Sequence, residues 1–165
     1  MERMRPVTEE QIRGSFINAT ADELEQMHMP GLHEMVWEER EFLGWRDLRA
    51  PRRGYLTHWR GDEPVSFVVH ASQATMRRGI VAMCSLCHSS QPSTTVRMFS
   101  ARFAGERGRR GSTMGTYICE SLSCPYVIRR GPAYFTTPEE LERRGGAMLQ
   151  RLERIIDHVA DEARR

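Results

Sequence analysis

The sequence predicts an α+β protein, with short helices at its N-terminus, antiparallel β-hairpins through its middle and an amphipathic helix at its C-terminus. Three observations predict this class. Helix-capping signatures are confined to the two ends, β-branched and aromatic runs fill the stretch from Tyr55 to Ile118, and two cysteine pairs punctuate that β-rich stretch. With 165 residues the chain has room for one modest core.

Thr8-Glu9-Glu10-Gln11 has capping-box spacing, a hydroxyl followed three residues later by Gln, and Ile12, Phe16 and Ile17 follow at helical intervals. A first helix is expected over 9–19. Thr20-Ala21-Asp22-Glu23 repeats the signature, and Leu24 and Met27 give a small apolar face before Pro30-Gly31, so the second helix is short. Trp37, Phe42, Leu43, Trp45 and Leu48 lack a helical period and read as a loop pinned to the core by its rings. Beyond Pro51, Tyr55–Trp59 and Val65–His70 flank Arg60-Gly61-Asp62-Glu63-Pro64 as a hairpin. Ile80–Met83 is a third strand candidate, and Val96–Phe103 and Ser112–Ile118 are the fourth and fifth. Residues 104–111 join those two with three glycines and three arginines, a composition expected to make a mobile, exposed tip.

Thr137-Pro138-Glu139-Glu140 starts the last helix, with proline at the first helical position. Leu141, Met148, Leu149, Leu152, Ile155, Ile156 and Val159 then recur on one face to about residue 162. Gly145-Gly146 weakens the first part by roughly 1 kcal/mol per glycine relative to alanine. The stripe is expected to serve core packing or the seam of a homodimer.

All 24 basic residues are arginine, which excludes a Schiff base, a phosphate-loop lysine and a lysine general base. The formal net charge of +2 averages an asymmetry. Residues 1–50 carry 6 Arg against 11 acids, residues 51–137 carry 12 against 4, and residues 138–165 carry 6 against 7. A basic middle flanked by acidic ends suits an anionic partner, RNA or an acidic protein face, or is neutralised within the chain. No apolar run approaches the roughly 18 residues of a membrane span, and the first residues lack a secretory signal, so a cytoplasmic protein without membrane contact is expected. Catalytic signatures are missing as well: there is no G-x-S-x-G, no phosphate loop and no paired-carboxylate spacing, so an enzyme is not expected.

The strongest signal is in the cysteines, Cys84-x2-Cys87, 31 residues, then Cys119-x4-Cys124. A two-residue gap lets two thiolates converge on one ion, and two pairs satisfy the tetrahedral preference of a structural zinc, one per chain. Four thiolates leave no open position for water, which disfavours a catalytic metal. Two disulfides or a redox C-x-x-C are the alternatives; the first does not suit a reducing compartment and the second does not need four cysteines. His88 is an alternative ligand, whereas His28, His33, His58, His70 and His158 lack ligand spacing. A knuckle with one ligand pair, a β-hairpin, and a second pair leaving a strand is the order of a treble-clef finger. Ser123–Ile128 has room only for a brief helical turn at the end of the clef.

Ile12–Asn18, Phe42-Leu43-Gly44-Trp45-Arg46-Asp47, Ala82–His88 and Gly115–Cys119 with Cys124 resemble the elongation factor G-binding protein C-terminal treble-clef family. That family includes the fusidic-acid resistance proteins of the FusB type. The resemblance runs over about 9–131. It implies a zinc-finger domain that binds elongation factor G, an acidic translational GTPase, and can promote its release from the ribosome. It places the metal on Cys84, Cys87, Cys119 and Cys124, with Cys124 where the resistance proteins commonly have histidine. It also places partner contacts at Ser85, Arg110 and Thr113, of which Ser85 and Thr113 lack the aromatic rings those proteins use.

Arg97, Arg102, Arg107, Arg109 and Arg110 are expected to face this partner, with Arg129 and Arg130 extending the patch. The alternative is RNA, on the ribosome or elsewhere, gripped by the same arginines with Phe99, Phe103 or Tyr117 stacking on bases. The expected division is a zinc-finger domain at 1–137 and a C-terminal helical extension at 138–165.

Overall fold

The computed structural model describes residues 3–130 and 136–160. Both expected capping boxes form. Thr8 Oγ1 accepts from the Gln11 N–H while Gln11 Oε1 accepts from the Thr8 N–H, and Thr20 and Glu23 exchange the same pair of bonds. They start α1 (Glu9–Arg13) and α2 (Ala21–Gln26). The first helix is much shorter than the expected 9–19 because the next residues pair with a strand. The Ile17 N–H donates to Ser66 O and the Ser66 N–H to Ser15 O, both at 2.9 Å.

The aromatic segment expected as a loop contains a strand, β1 (Leu43–Arg46), after a 3-10 turn at Trp37–Glu39. Leu43, Gly44 and Trp45 are all buried, so the strand shows none of the alternation that marks a half-buried one. The expected hairpin follows as β2 (Arg53–Arg60) and β3 (Glu63–Ala71), with Leu56 opposite Phe67. A short ribbon, β4 (Val81–Met83) against β5 (Ser90–Pro92), stands apart from the main sheet. Then β6 (Val96–Arg102) and β7 (Thr113–Cys119) complete a five-stranded antiparallel sheet in the order β1-β2-β3-β6-β7. β6 meets β3 only at His70 and Ala71, which leaves the first half of β3 free to pair with residues 15–17.

The connector expected as a mobile tip is instead a short helix, α3 (Gly105–Arg109). Gly108 permits it: a Cβ there would lie 1.7 Å from Phe103 O. The Arg107 guanidinium covers the Phe103 ring at 3.9 Å, and the Ser112 N–H donates to Arg107 O. A single helical turn, α4 (Cys124–Val127), follows the last cysteine, as expected. The last helix is α5 (Pro138–Ala160); the expected continuation to 162 lies outside the described residues. Among the described residues no helix is long and apolar enough to cross a membrane.

Residues that alternate along the strands enter two cores. Leu56, Phe67 and Val69 share one with Met148, Leu152, Ile156 and Val159 of α5, whereas Tyr55 and Val68 share the other with Ile12 and Met27 of the N-terminal segment. The apolar stripe of α5 is thus consumed inside its own chain, in the core that also contains all four cysteines.

Candidate metal centre

Cys84 and Cys87 sit in the turn of the β4–β5 ribbon, Cys119 ends β7 and Cys124 opens α4. All four are buried, and their Sγ atoms lie within 4.8 Å of one another. Cys84 Sγ is 3.7 Å from Cys124 Sγ, and Cys87 Sγ is 3.6 Å from Cys119 Sγ. A tetrahedron of Zn–S bonds near 2.3 Å has an S–S edge of about 3.8 Å. The donor set therefore fits one four-coordinate zinc, and its spacing is far from the roughly 2.05 Å of a disulfide. His88 lies outside this group: it is exposed, with φ 55° in the left-handed region that reverses the chain after the knuckle.

The surroundings favour thiolate. Cys84 Sγ accepts from the backbone N–H groups of Leu86 at 3.3 Å, Cys119 at 3.4 Å and Cys87 at 3.5 Å, and Gln91 Nε2 donates to Cys119 Sγ at 3.2 Å. The four groups also oppose one another. Thiols of Cys119 and Cys124 donate to Cys84 and lower its pKa, whereas bonding to Cys119, Cys84 and Cys87, together with burial, pushes Cys124 well up. Four thiolates this close require a cation. Zinc would stiffen the finger without offering a site for substrate, since every position is taken by sulfur.

Three distant contacts hold the two ligand pairs in place. Leu122, between Cys119 and Cys124, is fully buried at φ 59° and fits a notch made by two glycines. A Cβ on Gly44 would lie 2.2 Å from Leu122 O, and one on Gly54 would lie 2.3 Å from Leu122 Cδ1. Glu41 forms a buried fork with Arg129 at 2.9 and 2.7 Å, and Arg129 also donates to Pro125 O, which ties α4 to the segment before β1. From α5, Arg151 donates to Leu86 O at 2.8 Å and Arg144 to Ser89 Oγ at 3.0 Å. These supports are absent from any motif; the Gly44-Trp45 block was the only visible hint.

The expected partner residues fall into two groups at opposite ends of the β6–β7 pair. Ser85 donates its N–H to Tyr117 O beside the zinc end, where Arg97 also lies. Arg102, Arg107, Arg109, Arg110 and Thr113 lie at the other end, roughly 17 Å along the strand at about 3.3 Å per residue. Arg97 is mostly buried, bonded to Ser72 O and 3.8 Å from Glu120. Arg102 bonds Glu23 and Asn18 O, and Arg107 covers Phe103. Arg109 and Arg110 are exposed, at 71% and 75%, and share Glu106. Thr113, Gly115 and Tyr117 form an exposed row along β7, an edge strand, between the two groups. Phe99 and Phe103 are buried in the core and cannot stack on a base, and Arg129 is internal.

Sequence reasoning missed the exposed apolar residues of the ribbon, Val81 and Met83, because a strand-forming run does not reveal which face is covered.

No curated protein matches the chain. Among solved structures, it is similar to the fusidic acid resistance protein FusC, with 16% identity and a TM-score of 0.53 over 84% of this chain. That match spans 57% of the FusC chain, so the chain covers little more than half of that protein's length. The likeness is one of fold. The sequence matches the FBP C-terminal treble-clef zinc-finger family over residues 11–160, a span that takes in the four cysteines and α5 alike. The chain belongs to the FBP C-terminal treble-clef zinc-finger family.

Proposed function

We propose that this protein binds elongation factor G and promotes its release from the ribosome. The reading is supported first by the family, whose finger is complete here. The observation that carries the choice of surface is the exposed row on β7. Thr113, Gly115 and Tyr117 link Arg109 and Arg110 at one end to Ser85 and the apolar ribbon residues Val81 and Met83 at the other. A strip with cations at one end and apolar groups at the other suits an acidic protein face. The arginines steer encounter, and Tyr117 with the ribbon supplies the desolvated contact. Tyr117 also offers an exposed ring on this row, where Ser85 and Thr113 have none. The zinc holds the ribbon in register with β7.

Capture of purified elongation factor G by the zinc-loaded protein, measured by calorimetry at two salt concentrations, tests the reading. Tyr117→Ala and the pair Arg109→Ala, Arg110→Ala should each weaken binding tenfold or more, the arginine pair more strongly at low salt. Failure of the intact protein to bind the factor at micromolar concentration would overturn it.

A further inference from the structure

Most arginines of this chain are spent on internal partners, and the exceptions cluster beside the metal centre. A cleft of about 540 Å³ opens between the ribbon, the end of α4 and the first half of α5. Its volume falls within the roughly 300–1,000 Å³ typical of small-ligand sites. Arg130 and Arg144 project into it, and Ser89, Ser90, Gln91 and Thr95 supply hydroxyl and amide groups around them. No carboxylate lines it. Neither arginine has an acidic partner among the described residues, unlike Arg102, Arg109, Arg110 and Arg129. The nearby acids are turned elsewhere: Glu120, whose backbone bonds Thr95, faces Arg97, and Glu140 pairs with Arg143.

The chemistry of this cleft is that of an oxyanion receptor. Two planar guanidinium forks offer several N–H donors, and the hydroxyls donate to the remaining oxygens, which matches a phosphate better than a carboxylate with its two oxygens. One rim carries a stacking surface. Tyr126 is 63% exposed, with the Arg130 guanidinium 5.6 Å from its ring centroid. Phosphate donors beside an exposed aromatic ring are the pairing that single-stranded nucleic acid uses, backbone in the groove and base on the ring. We infer that the cleft of Arg130 and Arg144 binds the phosphodiester backbone of single-stranded RNA, with a base against Tyr126.

This site is distinct from the β7 row, and its test does not depend on elongation factor G. Fluorescence anisotropy of a labelled ten-nucleotide single-stranded RNA with the zinc-loaded protein is the measurement. Arg130→Ala with Arg144→Ala should weaken binding tenfold or more and lower the slope of log affinity against log salt by about 1, while Tyr126→Ala should weaken it several-fold. Arg109→Ala with Arg110→Ala should leave it unchanged. Because Arg144 also touches the knuckle through Ser89, the exposed Arg130→Glu serves alone as a second variant, with zinc content and melting temperature checked on each. RNA affinity unaffected by Arg130→Glu in a folded, zinc-loaded protein would overturn the inference. So would a cleft whose resonances shift with inorganic phosphate while the RNA does not bind. Zinc loss in the Arg144 variant with RNA binding intact would show that this arginine only offsets the negative charge of a zinc held by four thiolates, and would also sink it.

Discussion

The two ends of the β6–β7 pair are held by different chemistry. At the Cys119 end, four thiols converge from the ribbon, β7 and α4, and the neighbouring Arg130 and Arg144 have no carboxylate beside them. At the Arg102 end there is no ion site. Glu23, only 8% exposed, gathers His70, Arg102 and Arg53, while Glu106 gathers Arg109 and Arg110. The first end depends on something the chain must acquire, the second on bonds it makes for itself. The comparison also corrects the reading of charge. The excess of arginine in the middle is partly neutralised by acids from the N-terminal segment, Glu23 with Arg102 and Arg53, Glu41 with Arg129, so a count of cations overstates the cationic surface.

Removing a ligand should have the largest effect. Structural zinc in finger peptides contributes on the order of 10–16 kcal/mol of apparent binding free energy, which is folding free energy where no preformed site exists. Cys84 is also the sulfur that receives three backbone N–H groups. Cys84→Ala should bind less than a tenth of an equivalent of zinc by elemental analysis and lose cooperative thermal melting. Retention of zinc with a cooperative melt would mean that both ends are self-sufficient, and the contrast between them would fail.

A smaller loss is expected at Glu41. Its carboxylate is fully buried against Arg129, and removing one partner of a buried pair typically costs about 3–5 kcal/mol, because the other charge is left uncompensated. Glu41→Ala should lower stability by that order in urea unfolding and speed zinc transfer to a chelator, since Arg129 holds the turn that follows Cys124. Unfolding without faster zinc transfer would separate this ion pair from the metal centre.

What could be read from the sequence was what depends on near neighbours. The capping boxes at Thr8 and Thr20 close within three residues, and the cysteine spacings state the ligand set directly. The features that escaped depend on contacts across the fold. Glu41 and Arg129 are 88 positions apart, so nothing local marks Arg129 as internal. Strand β1 is buried on both faces and lacks a period, and α3 exists because Gly108 fits against the Phe103 backbone, which a glycine-rich segment does not announce. Arg97 and Arg102 alternate along β6 as surface residues would, yet their guanidinium groups turn back to Ser72 and Glu23. The ligands were therefore visible and the cations available to a partner were not.

Acid should expose the difference between the two ends with the smallest effect of the three. Burial alone would raise the Glu23 pKa, but bonds from His70, the Thr20 backbone and Arg102 outweigh it and lower the value from 4.5 to about 2. A carboxylate with a depressed folded-state pKa contributes stability that is complete above its unfolded value and disappears as pH falls through the folded one. The window is therefore about 4.5 down to about 2, and the shift corresponds to about 3 kcal/mol at neutral pH. Acid also protonates thiolates and releases zinc, so a fall in stability by itself does not say which end failed. Glu23→Gln separates them. It keeps the shape but cannot lose a proton, so its stability should be lower than that of the unaltered protein at pH 7 and should change less between pH 4.5 and 2. Zinc release followed with a chromogenic chelator should trace the same pH curve in both proteins. If Glu23→Gln instead shifts zinc release, the two ends are coupled through β6 and β7, and the sheet transmits a loss at Glu23 to the sulfurs at its far end.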